Sequence, residues 1–340
     1  MARAPFEFSV IPGNTVREII QADLPGIVHL VAGAYRAHAR NQTVNPPSQF
    51  LRFPDRPNAR IISLPAHLGG DESVSGVKWV ASYPDNIKLG IPRASAVLLL
   101  NDPTTGYPFA CLESSIISAA RTAASAVLGA YWLNGCSRHA ERVGFIGAGV
   151  IARYIVDFFV GTGWRTREVM VFDLVHDYAR KFAGHIASAR WPTPRLASSA
   201  SEVLGLCDLV VFATTAATPH VKEPELLQHK PRVLHISLRD LAPEVILAAD
   251  NIVDDVDHCL TASTSAHLAE QMSGNRSFIK GTIADVIDER VTLDPGSPVI
   301  FSPFGMGILD LAVGKYVYEK ATVMGRGHRI PEFFFERSRW

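Results

Sequence analysis

The run Arg142-Val143-Gly144-Phe145-Ile146-Gly147-Ala148-Gly149-Val150-Ile151-Ala152 has the residue types and spacing to hold a dinucleotide. It reads as a buried strand, a glycine turn and the start of a helix, the setting in which G-x-G-x-x-G/A binds a pyrophosphate. Gly147 permits the tight turn, Gly149 lets the backbone approach the phosphates, and Ala152 lets the helix lie close to the strand. The helix start at Val150 and Ile151 adds free N–H groups and a positive dipole end. A second strand, Arg167-Glu168-Val169-Met170-Val171-Phe172-Asp173, ends in an acid. Asp173 stands where such folds place the carboxylate that binds the adenosine ribose hydroxyls. A carboxylate there repels a 2′-phosphate, so NAD is expected over NADP. The other reading is a glycine turn of some different α/β protein beside an ordinary surface acid.

Three cations occupy unusual settings. Arg52 is flanked by apolar residues in Gln49–Phe53, Lys78 lies inside the strand Val77-Lys78-Trp79-Val80, and Arg121 sits on a helix of small residues. Lys and Arg are rarely buried without partners. Each alone could snorkel to the surface; together they suggest a cationic pocket for carboxylates. Leu234-His235-Ile236-Ser237-Leu238-Arg239-Asp240 is a strand that delivers an acid at its C-terminal end, where open α/β sheets bind ligands. Asp240 is a candidate for proton transfer, or simply a cap for the helix that follows.

The elements that must position these groups alternate from Gly144 onward. Strands are expected at Val143–Ile146, Val169–Phe172, Arg195–Ala197, Asp208–Thr215, Arg232–Ser237 and Asn251–Asp254. Helices are expected at Ile151–Phe159, His176–Ala189, Pro243–Ala248 and His258–Glu270. This alternation predicts a Rossmann-type, doubly wound parallel sheet over residues 134–302. The first part of the chain differs. Leu24–Ala39 is an amphipathic helix with Asp23 as N-cap and Pro25 in its first turn. Strands are expected at Ala59–Pro65, Val74–Ser82 and Ala94–Asn101, and a long helix at Leu112–Trp132. The helix Gly305–Lys320 is too short to be a domain and is expected to pack back on the N-terminal region. The fold class is therefore α/β. A nucleotide domain is inserted in a discontinuous α+β substrate and dimerisation domain, residues 1–133 and 303–340, and the crevice between the two domains is the default active site.

Composition narrows the function classes. The 340 residues are 47% hydrophobic and 19% charged, with Lys+Arg and Asp+Glu both 33. This balance offers no nucleic-acid or membrane-surface partner. Four cysteines without C-x-x-C spacing predict reduced thiols in a cytoplasmic protein and no metal site. Met1–Val10 carries Glu7 and no long apolar run, which predicts no signal peptide. No stretch looks apolar enough for a membrane span. The 12 histidines are dispersed and read as structural or surface residues.

With these residues in hand, the chain resembles the ornithine cyclodeaminase/μ-crystallin family over essentially its whole length. The Lys78 strand, Arg121-Thr122-Ala123-Ala124, Gly147-Ala148-Gly149, Thr214-Thr215 and Asp240 occur in that family's order. The resemblance implies that Arg52, Lys78 and Arg121 hold a substrate carboxylate, with Lys78 and Asp240 as the catalytic pair. It implies cofactor contacts from Thr122, Thr214, Thr215, Ser237, Leu238 and Gly305, and a homodimer formed through the N-terminal domain. Longer stretches, including Gln42–Pro46, Phe50–Pro54, Gly76–Asn86, Ile91–Ala96 and Ile236–Leu241, are similar to one branch of the family. Its members oxidatively cleave N-(2-amino-2-carboxyethyl)-L-glutamate to L-2,3-diaminopropionate and 2-oxoglutarate, for siderophores of the staphyloferrin B type and for peptide antibiotics. Cyclising members are similar but use an acid on the strand before the lysine to hold ornithine's distal ammonium. Arg60–His67 contains no acid, and Arg93 adds a cation, as a substrate ligand or as a turn residue after Pro92. The alternatives are an ornithine cyclodeaminase, another amino-acid dehydrogenase or ketimine reductase, and a non-catalytic crystallin-like NAD-binding protein.

Overall fold

The computed structural model describes residues 6–70 and 73–336. The chain divides into two compact units, Met1–Arg121 with Met306–Trp340, and Thr122–Gly305.

The first unit opens with β1 (Phe8–Ile11), α1 (Gly13–Ala22) and α2 (Leu24–Ala39). Asp23 caps α2 as expected, its carboxylate accepting from the Gly26 N–H at 2.9 Å. There follow β2 (Thr43–Val44), β3 (Gln49–Phe53), β4 (Arg56–Leu68), β5 (Val74–Ser82), β6 (Ala94–Asn101) and β7 (Pro108–Glu113), then α3 (Ser115–Leu133), whose residues from Thr122 onward belong to the second unit. The expected helix Leu112–Trp132 thus begins later, and the residues before it form β7. Glu113 makes the break: its carboxylate accepts from the Ser115 N–H at 2.8 Å and the Ile116 N–H at 3.2 Å, satisfying donors that α3 leaves free. α3 is also long and apolar enough to cross a membrane by length and composition, contrary to the sequence expectation. Its small side chains are mostly buried within the protein instead.

The second unit contains β8 (His139–Ile146), α4 (Val150–Gly161), β9 (Arg165–Phe172), α5 (His176–Ser188), β10 (Arg195–Leu196), α6 (Ala200–Leu206), β11 (Leu209–Phe212), β12 (Arg232–His235), α7 (Pro243–Leu247) and β13 (Asp250–Val253). It continues through α8 (Val256–Cys259), α9 (Ser265–Ser273), β14 (Ile279–Thr282), α10 (Ile283–Ile287) and β15 (Val299–Ser302). All eight strands are parallel, in the order β10-β9-β8-β11-β12-β15-β13-β14. The direction of winding reverses between β8 and β11, the switch point at which such sheets bind ligands. The strand centres are apolar and fully buried, as Val143, Phe145, Val169, Val171 and Leu209–Phe212 show. The single helix expected at His258–Glu270 is two helices. Asp255 caps α8 and Thr264 caps α9, with Ala262 and Ser263 at positive φ in the turn between them. The strand expected to reach Thr215 ends at Phe212, which leaves Thr214 and Thr215 in the loop beyond it.

The chain then returns to the first unit with α11 (Gly307–Val323) and β16 (His328–Ile330). The first sheet has the order β16-β1-β7-β6-β5-β4-β2, with β3 also on β4, and is antiparallel apart from β1 and β7. Helix α11 lies against its β4-β5-β6 face. A side chain at Gly314 would run into Leu98, and one at Gly76 into Leu311 and the Leu99 carbonyl, so both glycines permit the close approach. Ile308, Leu309, Leu311 and Val313 are buried in that contact, and Asp310 is buried with them.

Candidate active site

The glycine turn is shaped for a dinucleotide. Gly147 follows β8 with φ of 96°, and a Cβ there would stand 2.5 Å from the Ala213 carbonyl oxygen. Gly149 is different: its φ is −80°, and a Cβ would meet nothing within 4 Å. It borders open space at the N-cap of α4, where no side chain caps the helix, so the first N–H groups face outward. Val150 is half exposed, Ile151 partly so, and Ala152 is buried against the strand. Asp173 directly follows β9, its carboxylate accepting from the Ala148 N–H and the Val175 N–H, both at 2.8 Å. These bonds fix the acid beside the glycine turn. The residues present therefore fit a dinucleotide: an uncapped helix end over an empty glycine, with an acid on the adjacent strand.

Thr122 is half-buried on α3 and Thr215 is exposed. Leu238 adopts a φ of 69° and accepts the Ser265 N–H through its carbonyl at 2.7 Å. Gly305, with φ of 90°, donates its N–H to Asp254 at 2.7 Å. Thr214 and Ser237 both donate their hydroxyls to Asp240. Asp240 is fully buried, and its carboxylate also meets His220 Nε2 at 3.1 Å and His235 Nε2 at 3.3 Å. Burial pushes this carboxyl up, but the bonds from His220, His235 and Ser237 outweigh it and hold the group well below the usual carboxylate range. A carboxylate so stabilised is a weak proton acceptor and a strong orienting anion. His220 is 40% exposed, and its backbone N–H also bonds the Asp240 carbonyl at 2.9 Å. An exposed imidazole held by a buried aspartate is the base-and-orienter arrangement of acid–base catalysis. Sequence reading placed the 12 histidines as structural or surface residues and so missed this pair. His235, inside an apolar strand, was a visible signal. His220 gave none, because a bridge between Val221 and Leu241 brings it to Asp240 across 20 residues.

In the first unit, Lys78 and Arg121 come together around an acid that sequence reading also missed. Lys78 Nζ lies 2.7 Å from Asp310 Oδ2 and 3.3 Å from Ser118 Oγ. Arg121 Nε stands 3.4 Å from Asp310 Oδ1, and neither of those two atoms has a hydrogen-bond partner. Burial lowers the Lys78 ammonium to about 8, with the Arg121 charge adding to the effect and Asp310 opposing it. Two cations and one carboxylate leave a net charge of about +1 while Lys78 is protonated. Arg52 is not part of this cluster: it is exposed on β3, its guanidinium 5.0 Å from the Phe50 ring centre. Of the three cations expected to form a pocket, the structure brings Lys78 and Arg121 together around Asp310 and leaves Arg52 outside that cluster. Arg52 lies on the same sheet face, roughly 14 Å along the strands as the register counts four residues. Arg93 precedes β6 and is half-buried.

Comparison with known proteins gives these features a setting. The model of the ornithine cyclodeaminase/mu-crystallin family matches residues 17–324. The N-((2S)-2-amino-2-carboxyethyl)-L-glutamate dehydrogenase of Staphylococcus aureus is 31% identical over 318 residues, which cover 88% of this chain and 91% of that one. A solved archaeal alanine dehydrogenase dimer with bound NAD superimposes with a TM-score of 0.84 at 26% identity, covering 97% of this chain and all of that one. The Δ1-pyrroline-2-carboxylate reductase of Thermococcus litoralis shares the fold, with a TM-score of 0.87 at 24% identity over 95% of this chain and all of the other.

Proposed function

The chain belongs to the ornithine cyclodeaminase/mu-crystallin family, and from that premise we propose that it is an NAD-dependent oxidoreductase that cleaves N-(2-amino-2-carboxyethyl)-L-glutamate. With water, the products are L-2,3-diaminopropionate, 2-oxoglutarate, NADH and a proton. The observation that carries this reading is Arg121. Its side chain is only 13% exposed, and its Nε makes no hydrogen bond although Asp310 is near. A buried donor left unmet costs about 1–3 kcal/mol. A substrate carboxylate would satisfy it, with the charge-assisted geometry that guanidinium favours. The likeness to the staphylococcal dehydrogenase supports the particular substrate.

In this reading Gly149, the start of α4 and Asp173 hold the dinucleotide, Asp173 favouring NAD over NADP. When bound, NAD supplies the acceptor for the hydride on the glutamate α-carbon. Lys78 and Arg121 hold the carboxylate beside that carbon and so fix its orientation. Asp310 keeps Lys78 charged in spite of its burial. Loss of the hydride leaves a C=N bond, which water attacks. His220 takes the proton from that water, and Asp240 fixes the imidazole and steadies its positive charge. The carbinolamine then collapses: His220 returns the proton to the diaminopropionate nitrogen, the C–N bond breaks, and the hydroxyl loses its proton to become the keto group of 2-oxoglutarate. The protein acts as a homodimer, as the archaeal alanine dehydrogenase does. The test is an incubation with NAD and, separately, the glutamate conjugate, alanine, ornithine and proline, with NADH and products followed together. NADH with diaminopropionate and 2-oxoglutarate is expected from the conjugate alone. Proline and ammonia from ornithine without net NADH, or NADH from alanine, would contradict the reading.

A further inference from the structure

A second group of cations, Arg52 and Arg60 on the Lys78 face of the first sheet and Arg93 beside its corner, has no counter-charge among the described residues. In the strand register Arg52 of β3 sits opposite Arg60 of β4, and Arg60 sits opposite Ser82 of β5. Lys78 is four residues from Ser82 on the same strand, so with a side-chain period of two these residues all share one face. Next to Ser82, the Tyr83 N–H bonds the Arg93 carbonyl at 2.8 Å, which brings Arg93 to the same corner. The Arg60 Nε is buried and has no hydrogen-bond partner. Among the described residues, neither the Arg60 nor the Arg93 guanidinium makes an ion pair or hydrogen bond. Burial and then the Arg60 charge lower Arg93 from its ordinary value, as expected of two like charges held close.

Proteins seldom keep partly buried arginines together without an anion. A surface role would turn the guanidinium heads toward water, and the enclosed Nε of Arg60 is contrary to that. The separation from Lys78 also matters. Lys78 and Arg60 occupy strand positions roughly 14 Å apart along the sheet, a span that suits the two ends of a polycarboxylate reached by long side chains.

We propose that Arg60 and Arg93, with Arg52 at their edge, form a second anion site that takes the substrate carboxylate remote from the one held by Lys78 and Arg121. This rests on the reading of the substrate as a glutamate conjugate and assigns its distal charge to named residues. The ligand class is a dicarboxylate or larger, and Arg60 sets the preference.

The test uses binding alone. Calorimetry compares 2-oxoglutarate with 2-oxopentanoate, which has the same carbon chain without the distal carboxylate, in wild type and in Arg60→Met, Arg93→Met and Arg121→Met. Met keeps much of the apolar stem, and circular dichroism confirms folding. Wild type should bind 2-oxoglutarate about 30-fold or more tightly than 2-oxopentanoate, the discrimination expected when one partner of a desolvated charge pair is absent. Arg60→Met should bring the two ligands to nearly equal affinity by weakening 2-oxoglutarate only, Arg93→Met should do so in part, and Arg121→Met should weaken both alike. Equal binding of the two ligands by wild type would overturn the second site, as would equal weakening of both by Arg60→Met or no change in either. The failure of the function reading looks different: no NADH from the conjugate, with the difference between the two keto acids still present.

Discussion

Asp310→Asn removes the carboxylate that faces both Lys78 and Arg121 while keeping the size of the side chain. In the wild type, Lys78 titrates at about 8 when folded against about 10.4 in an unfolded chain. Between those values the unfolded state binds more protons, so stability rises with pH across roughly 8 to 10.4. The difference amounts to about 3 kcal/mol, which opposes folding below pH 8 and is gone above the unfolded value. Asp310 is what raises Lys78 against its burial. Without it the folded-state value falls below 8, and the pH window of rising stability begins lower. At pH 7 the variant should lose about 3–5 kcal/mol, the usual cost of breaking a buried ion pair by removing one member. The same shift should appear in binding. Wild-type affinity for a substrate carboxylate should fall as pH rises through about 8 and the ammonium is lost, and in Asp310→Asn it should fall at a lower pH. The assays are denaturant unfolding at several pH values and kcat/KM across the same range. A variant within about 0.5 kcal/mol of wild type, with the same pH limb, would refute the role assigned to Asp310.

Four further outcomes are expected. Gly147→Ala should fail to fold or lose NAD binding outright, because its Cβ would press on the Ala213 carbonyl at positive φ. Gly149→Ala should melt like wild type yet bind NAD more weakly, since open space is all its Cβ meets; unchanged affinity would mean that no phosphate lies there. Asp173→Asn should narrow the preference for NAD over NADP, as measured by the two dissociation constants, and an unchanged ratio would leave Asp173 a purely structural brace for Ala148. His220→Asn should lower kcat by about 10²–10⁴-fold with NAD affinity unchanged, whereas near-normal turnover would return proton transfer to another group.

The parts of this molecule that were readable in its sequence are those fixed by local chemistry. Asp23 and Pro25 announced the start of α2, and the alternating strands β5 and β6 have the expected ends. The glycine turn was legible because a tight turn and an acid at the next strand's end need particular residue types. What was lost depended on contacts distant along the chain. β7 ran into α3 as one apolar stretch, since the only break is the carboxylate of Glu113 folding over the helix start. Asp310 lies between Leu309 and Leu311 in a helix buried nearly all round. Its partner Lys78 is 232 residues away in sequence, so no spacing linked them. Arg52, Lys78 and Arg121 were grouped as a candidate cationic pocket from their apolar surroundings, but the carboxylate that pairs with Lys78 beside Arg121 could come only from the fold. Arg60 was read only for the absence of an acid near it, and its own buried Nε became evident from the sheet register.

The central claim is that the hydride leaves the glutamate α-carbon of the conjugate, and isotope tracing tests it most directly. N-(2-amino-2-carboxyethyl)-L-glutamate carrying deuterium at the glutamate α-carbon is incubated with the protein and NAD, and the products are resolved by mass spectrometry. The account predicts one deuterium in NADH for each 2-oxoglutarate and diaminopropionate formed, with a primary isotope effect on turnover wherever the transfer limits the rate. Unlabelled NADH, deuterium retained in a cyclised or unchanged amino acid, or no NADH from this substrate while alanine or proline is oxidised would contradict it.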